Sequence, residues 1–149
     1  MKKFTKTLLL IFVALLQTGC TSSIYVYFNA AKKLNQNQNH RSLPVEIVIY
    51  QLRDKNAFSH ASILELWQRD TQVLGNSLLS KKNITIIPGK TCNITLTKKK
   101  ESKYIGFVAL FRKPISNSWR TIYPLPKYQA IISLLIKVHL RSNTIILQE

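Results

Sequence analysis

Tyr104-Ile105-Gly106-Phe107-Val108-Ala109-Leu110-Phe111-Arg112 is the most apolar stretch of the chain beyond its N-terminal segment. Side chains alternate across a strand, so Tyr104, Val108 and Leu110 share one face and Ile105, Phe107, Ala109 and Phe111 the other. Both faces are apolar, which requires cover on both sides and predicts a central strand. Gly106 within it signals a bulge or a close backbone approach. Pro44-Val45-Glu46-Ile47-Val48-Ile49-Tyr50-Gln51-Leu52 reads the same way: Val45, Ile47 and Ile49 on one face, Glu46, Val48, Tyr50 and Leu52 on the other.

Working outward, the remaining β-signals are short and frequent. Ser23 to Ala31 is rich in Ile, Tyr, Val and Phe and reads as a first strand. Ile84 to Ile87 runs into the turn pair Pro88-Gly89, and Thr91 to Thr97 follows as its pairing partner. Lys98-Lys99-Lys100-Glu101 makes a hairpin tip, and Trp119 to Tyr123 another strand. From Ile132 the even positions Leu134, Ile136, Val138 and Leu140 are apolar, Ser142-Asn143 turns the chain, and Thr144 to Leu147 closes it. About eight short strands separated by turns predict a β-sandwich. One stretch breaks the alternation. Phe58, Ala61, Leu64 and Trp67, widened by Ile63 and Leu66, predict one short helix with Phe58 and Trp67 as core anchors. Ser62 and Glu65 have capping-box spacing, although Ser59 is an equally good N-cap.

The N-terminal segment sets the compartment. Lys2, Lys3 and Lys6 precede the apolar run Leu8 to Leu16. Nine helical residues rise about 14 Å, too short for a hydrocarbon core, so the segment reads as an export signal. It ends Leu16-Gln17-Thr18-Gly19-Cys20, which resembles a bacterial lipobox, although Gln17 stands where that pattern prefers Leu, Val or Ile. The resemblance implies diacylation of Cys20 and cleavage before it. Residues 1–19 are then a lipoprotein signal peptide, 20–24 an acylated tether and 25–149 the sandwich domain. Thr21, rather than Asp, implies sorting to the outer membrane. The other reading is an ordinary secretory signal with an incidental cysteine. A Cys20–Cys92 disulfide would require an unlipidated Cys20.

The 149 residues carry 22 Lys and Arg against 6 Asp and Glu, a formal charge of +16. Without Lys2, Lys3 and Lys6 the balance is 19 against 6, or +13. The apolar fraction of 46% excludes a disordered chain, and four scattered glycines leave little material for a phosphate-binding loop. No basic helix, finger or aromatic RNP-like string accompanies the charge, so nucleic acid is not the expected partner. Anionic lipid headgroups or an acidic protein suit an exported basic domain better.

Catalytic and metal motifs are missing from the sequence. His40, His60 and His139 stand apart, and no HExxH or zinc-type Cys/His spacing occurs. No nucleophile-elbow motif exists, and the six carboxylates are scattered. The chain is expected to be neither an enzyme nor a cofactor protein, apart from the covalent lipid on Cys20. Lys32 to Leu43, dominated by Asn35, Gln36, Asn37, Gln38, Asn39 and His40, has no apolar periodicity and reads as a loop. Its length fits either a functional loop or a tolerated polar insertion.

Taken in order, several of these pieces resemble the outer-membrane lipoprotein family of type VI secretion systems (TssJ, VasD, SciN). They are Leu34-Asn35, Pro44 to Leu52, the helix with Phe58, Leu66 and Asp70, Pro88-Gly89, Tyr104 to Arg112, and Trp119-Arg120. The resemblance implies a transthyretin-like β-sandwich with a small helical addition. It implies an acyl-anchored periplasmic domain that binds the periplasmic part of a large inner-membrane protein (TssM-like). It further implies partner contacts from the loop between the first two strands, here Asn35, Gln36, Asn37, Gln38, Asn39, His40 and Arg41. Arg120 is expected either to contact the partner or to pair with a buried carboxylate. A periplasmic binding or inhibitor module unrelated to secretion is the alternative.

Overall fold

The computed structural model describes residues 22–127 and 133–148. Eight strands form two four-stranded sheets. They are β1 (Ser23–Leu34), β2 (Val45–Leu52), β3 (Leu78–Ile86), β4 (Thr91–Thr97), β5 (Tyr104–Ala109), β6 (Arg120–Pro124), β7 (Leu134–Ser142) and β8 (Thr144–Gln148). One sheet has the order β4-β1-β7-β8 and the other β3-β2-β5-β6. All pairings are antiparallel except β1 with β7.

The two stretches with apolar residues on both faces are the inner strands of the second sheet. Ile49 pairs with Phe107 and Tyr50 with Gly106, so the alternate faces of β2 and β5 coincide. Phe107 meets Phe28 of β1 edge to face at 6.0 Å, which places the Phe107 face inside the sandwich. The opposite face, with Tyr50, Gly106 and Val108, lies under the helices that follow β2. Phe58 covers it, with its ring 5.9 Å from that of Tyr50. Gly106 answers to close approach rather than to a bulge, because a β-carbon there would stand 2.9 Å from the Phe58 ring.

The helical addition differs from the single helix expected. It consists of α1 (Asn56–His60), α2 (Ile63–Gln68) and α3 (Asp70–Leu74), followed by a 3-10 turn, Gly75–Ser77. Ala61 and Ser62 are extended, and Ser62 restarts the chain as an N-cap with a complete capping box to Glu65. That break resets the helical phase. Phe58 and Leu66 remain buried at 1% exposure, but Leu64 and Trp67 turn outward at 53% and 64%. Trp67 is therefore not a core anchor. A stripe spaced i, i+3, i+6, i+9 is meaningful only on one continuous helix.

A partly buried polar cluster ties α3 to the sheet. The Tyr50 hydroxyl donates to Asp70 Oδ2 at 3.0 Å, and Lys81 Nζ donates to both carboxylate oxygens at 3.0 and 2.9 Å. Burial opposes ionisation of Asp70, but the hydrogen bonds from Lys81, Tyr50 and the Thr71 backbone outweigh it and hold the carboxyl below its ordinary range. Burial first, and then the Asp70 charge, push the Tyr50 hydroxyl well above the usual phenol value. Among the described residues Arg120 pairs with no carboxylate. Its Nη1 donates to the carbonyls of Phe58 and Ala61 at 2.9 and 2.6 Å, capping the end of α1, and burial lowers its pKa.

Two connections expected as hairpins cross between sheets instead. Pro88-Gly89 carries the chain from β3 to β4, which pairs with β1. The Lys98–Lys103 segment returns it from β4 to β5 in the other sheet. Turn residues signal that the chain reverses; whether it stays in the same sheet depends on long-range pairing.

Candidate functional site

β1 is longer than its apolar stretch suggests and organises both ends of the molecule. It begins at Ser23, so Ser23 and Ile24, assigned to the tether, belong to the sheet, and Ile24 is buried. At its other end it runs through Lys32 and Lys33 to Leu34, so the loop to β2 is residues 35–44 rather than Lys32 to Leu43. Twelve strand residues span roughly 36 Å. The entry of the chain and the candidate loop therefore lie at opposite poles.

The loop is held by Asn35. This residue takes a left-handed conformation (φ 47°), which Asn tolerates better than most side chains, and is buried to 4% exposure. Its N–H donates to Ser142 O at 2.8 Å, its Nδ2 to Pro44 O at 2.9 Å, and its Oδ1 accepts from Arg112 N–H at 2.9 Å. One side chain thus joins the loop's stem to the segment that follows β5. With its amide spent internally and its surface covered, Asn35 positions the loop and presents nothing to a partner.

The tip is closed by a second asparagine. Asn37 Oδ1 accepts from the N–H groups of Asn39 and Arg41, both at 3.0 Å, while Asn37 N–H donates to Arg41 O and His40 N–H to Asn37 O. Gln36 Nε2 donates to the His40 carbonyl at 2.6 Å. Gln38, Asn39, His40 and Arg41 are left exposed at the crest. The polar composition that reads as structureless builds a folded knob, through side chains that imitate backbone turns. A preformed knob gives up little conformational entropy on binding.

At the opposite pole, Lys98 N–H donates to Ser22 O at 2.9 Å beside the start of β1. Gln51, buried at the end of β2, fastens the β4–β5 connection: its Nε2 donates to Thr97 O and its Oε1 accepts from Lys99 N–H, both at 2.9 Å. Lys103 N–H donates to Leu52 O, and Leu125 N–H to Lys103 O. The basic run noted in the sequence is thereby brought beside the first described residue, a neighbourhood that only the topology supplies.

Cys20, the expected lipidation site, lies outside the described residues. Cys92 on β4 is a half-buried free thiol. The histidines stay apart: His40 is on the knob, His60 Nδ1 lies 2.8 Å from Asn56 O, and His139 Nε2 lies 2.7 Å from Gln148 Oε1. Among the described residues no group of three metal-ligating side chains converges, and no helix is long and apolar enough to cross a membrane.

The family described as type VI secretion lipoprotein (VasD, EvfM, TssJ, VC_A0113) matches residues 22–143. The chain belongs to this family. Its structure is similar to that of Lip from Serratia marcescens, a membrane-bound component of the type VI secretion system (TM-score 0.79, 22% identity, covering 86% of this chain and 98% of that one). It is similar to TssJ1, the lipoprotein from Pseudomonas aeruginosa (TM-score 0.76, 21% identity, 87% and 98% covered). It also resembles a chain in a structure described as the TssM C-terminal domain from EAEC (TM-score 0.72, 22% identity, 85% and 98% covered). At these identities the likeness is one of fold. No curated protein sequence matches the chain significantly. The type VI secretion lipoproteins thus supply the frame in which the two poles are read.

Proposed function

We propose that this type VI secretion lipoprotein is acylated at Cys20, held in the outer membrane with its sandwich in the periplasm, and bound through its 35–44 loop to a TssM-like inner-membrane protein. Its role is mechanical rather than catalytic: it fixes one end of a secretion complex to the outer membrane. The observation that carries this reading is the family match, which begins at residue 22, just after the Gly19-Cys20 pair. Likeness to a chain in the structure described as the TssM C-terminal domain supports the choice of partner. The two-pole geometry supports the choice of loop, because the crest Gln38–Arg41 points away from the tether. Asn and Gln side chains there offer hydrogen bonds to an extended partner segment without the desolvation cost of buried charge.

Two substitutions test it. Cys20→Ser should leave the sandwich folded and release it from outer-membrane fractions; retention there would refute the anchor. Replacing the exposed crest Gln38 to Arg41 by Gly/Ser, with Asn35, Gln36 and Asn37 kept, should abolish co-purification of a TssM-like protein without lowering thermal stability by more than about 1 kcal/mol. Undiminished co-purification would refute the loop.

A further inference from the structure

The pole beside the tether carries a basic groove that neither the fold nor partner binding through the loop explains. The groove has a volume of about 590 Å³ and is lined by Lys98, Lys100 and Lys103 from the β4–β5 connection and by Lys127 beyond β6. Tyr104 and Leu125 contribute apolar lining. The one carboxylate among its described lining residues, Glu101, lies 2.6 Å from the Arg53 guanidinium just after β2, so that negative charge is already compensated. Lys55 adds a further cation above the Tyr104 ring, 5.9 Å from its centroid. Four lysines line this concave surface, and ammonium groups bind phosphate as point charges.

The position of the groove selects the source of that phosphate. Lys98 N–H is bonded to Ser22 O. Ser22 stands two positions beyond Cys20, and a fully extended chain covers at most about 7 Å over those two steps. Physiological salt screens charge over about 8 Å, so an acylated Cys20 brings these lysines within reach of the membrane surface. We infer that the groove binds the phosphate headgroups of anionic phospholipids in the leaflet that holds the acylated Cys20. The domain then stands with its basic pole against the membrane and the 35–44 knob directed away from it. This inference rests on acylation of Cys20; the groove supplies the orientation that a flexible lipid tether lacks.

The test uses vesicle flotation of residues 20–149 carrying Cys20→Ser, which lack both the apolar export segment and the acyl chains. The protein should float with vesicles of one part phosphatidylglycerol to three parts phosphatidylcholine, and not with phosphatidylcholine alone. Each cation at an anionic surface contributes about fivefold in affinity, so Lys98, Lys100, Lys103 and Lys127 changed together to Gln should lower partitioning by at least about tenfold. A charge-matched control with Lys33, Lys82, Lys90 and Lys113 changed to Gln should lose less than about twofold. Circular dichroism of both variants confirms that they are folded. Equal loss in the two variants would mean net charge alone, and undiminished flotation of the groove variant would mean another surface; either overturns the proposal. Displacement by millimolar inorganic phosphate at constant ionic strength would mark a free-phosphate site and overturn it as well. No vesicle arm involves the acyl chain, so failure here leaves lipidation standing. An intact mass of the wild-type protein without lipid on Cys20 would refute lipidation separately, and with it the orientation.

Discussion

Gly106 of β5 lies directly under the ring of Phe58 of α1: a β-carbon on Gly106 would stand 2.9 Å from both Cε2 and Cζ, and 3.3 Å from Leu52 Cδ1. The contact seats the helical addition on the sheet. Gly106→Ala should destabilise the domain by about 1–3 kcal/mol, the usual cost of forcing a methyl group into a packed core. Combining it with Phe58→Leu should cost less than the sum of the two single changes. Urea denaturation of the three variants measures this coupling, and additivity would contradict the contact.

Asp70 predicts a pH dependence. Its carboxyl titrates below the ordinary range in the folded state, so the stability it contributes is full above the unfolded value of about 3.9. That contribution disappears as the pH falls through the lower folded value. Asp70→Asn should cost about 1–3 kcal/mol near neutrality, because it weakens the hydrogen bonding of the buried Tyr50 hydroxyl and the pairing of Lys81. Denaturation of the wild type and the variant should converge once the pH is well below 3.9, and a constant gap would exclude this linkage.

Asn35→Ala removes the acceptor for Arg112 N–H and the donor to Pro44 O, and leaves Ala at positive φ. A loss of about 1–3 kcal/mol is expected for the orphaned groups alone. Asn35→Asp keeps the acceptor for Arg112 but sets a carboxylate oxygen against Pro44 O in a buried site, so it should also be less stable than the wild type. Thermal unfolding measures both losses.

Arg120→Met deprives the carbonyls of Phe58 and Ala61 of a charged donor and should cost about 1.5–3 kcal/mol. Arg120→Lys should recover only part of this, since an ammonium lacks the planar spread of the guanidinium. Equal stabilities of the wild type and Arg120→Met would refute the capping role.

The two aromatic residues of the helical segment should behave oppositely. Phe58→Ala empties a buried site and should cost about 3–5 kcal/mol. Trp67→Ala changes a side chain that is 64% exposed and should stay within about 0.5 kcal/mol. Chemical denaturation separates them.

What was legible in the sequence follows from the range of the interactions involved. β2 and β5 were readable because two-sided burial leaves apolar residues on both faces of a strand, and the capping box at Ser62 and Glu65 because it is local. Trp67 misled because the break at Ala61 and Ser62 lies between residues that the stripe joined. The crossings after Pro88-Gly89 and Lys98 could not be read from turn residues, since sheet membership is decided by partners dozens of positions away. The knob was visible as a loop, but the internal role of Asn35 depends on Arg112, 77 residues on. The basic groove escaped for the same reason: Lys127 is brought to Lys98, Lys100 and Lys103 by the pairing of β5 with β6 and the Leu125–Lys103 backbone bond.

β1 is an inner strand, paired with β4 over Ser23–Asn29 and with β7 over Ile24–Ala30. A pull entering at residue 22 and leaving through the knob runs along its axis. The already extended covalent backbone of β1 then bears the tension, and the ladders on either side are spared the one-after-another opening of a strand peeled from an edge. A fold that places the entry of its chain and its knob at the two ends of one inner strand is suited to being stretched between them.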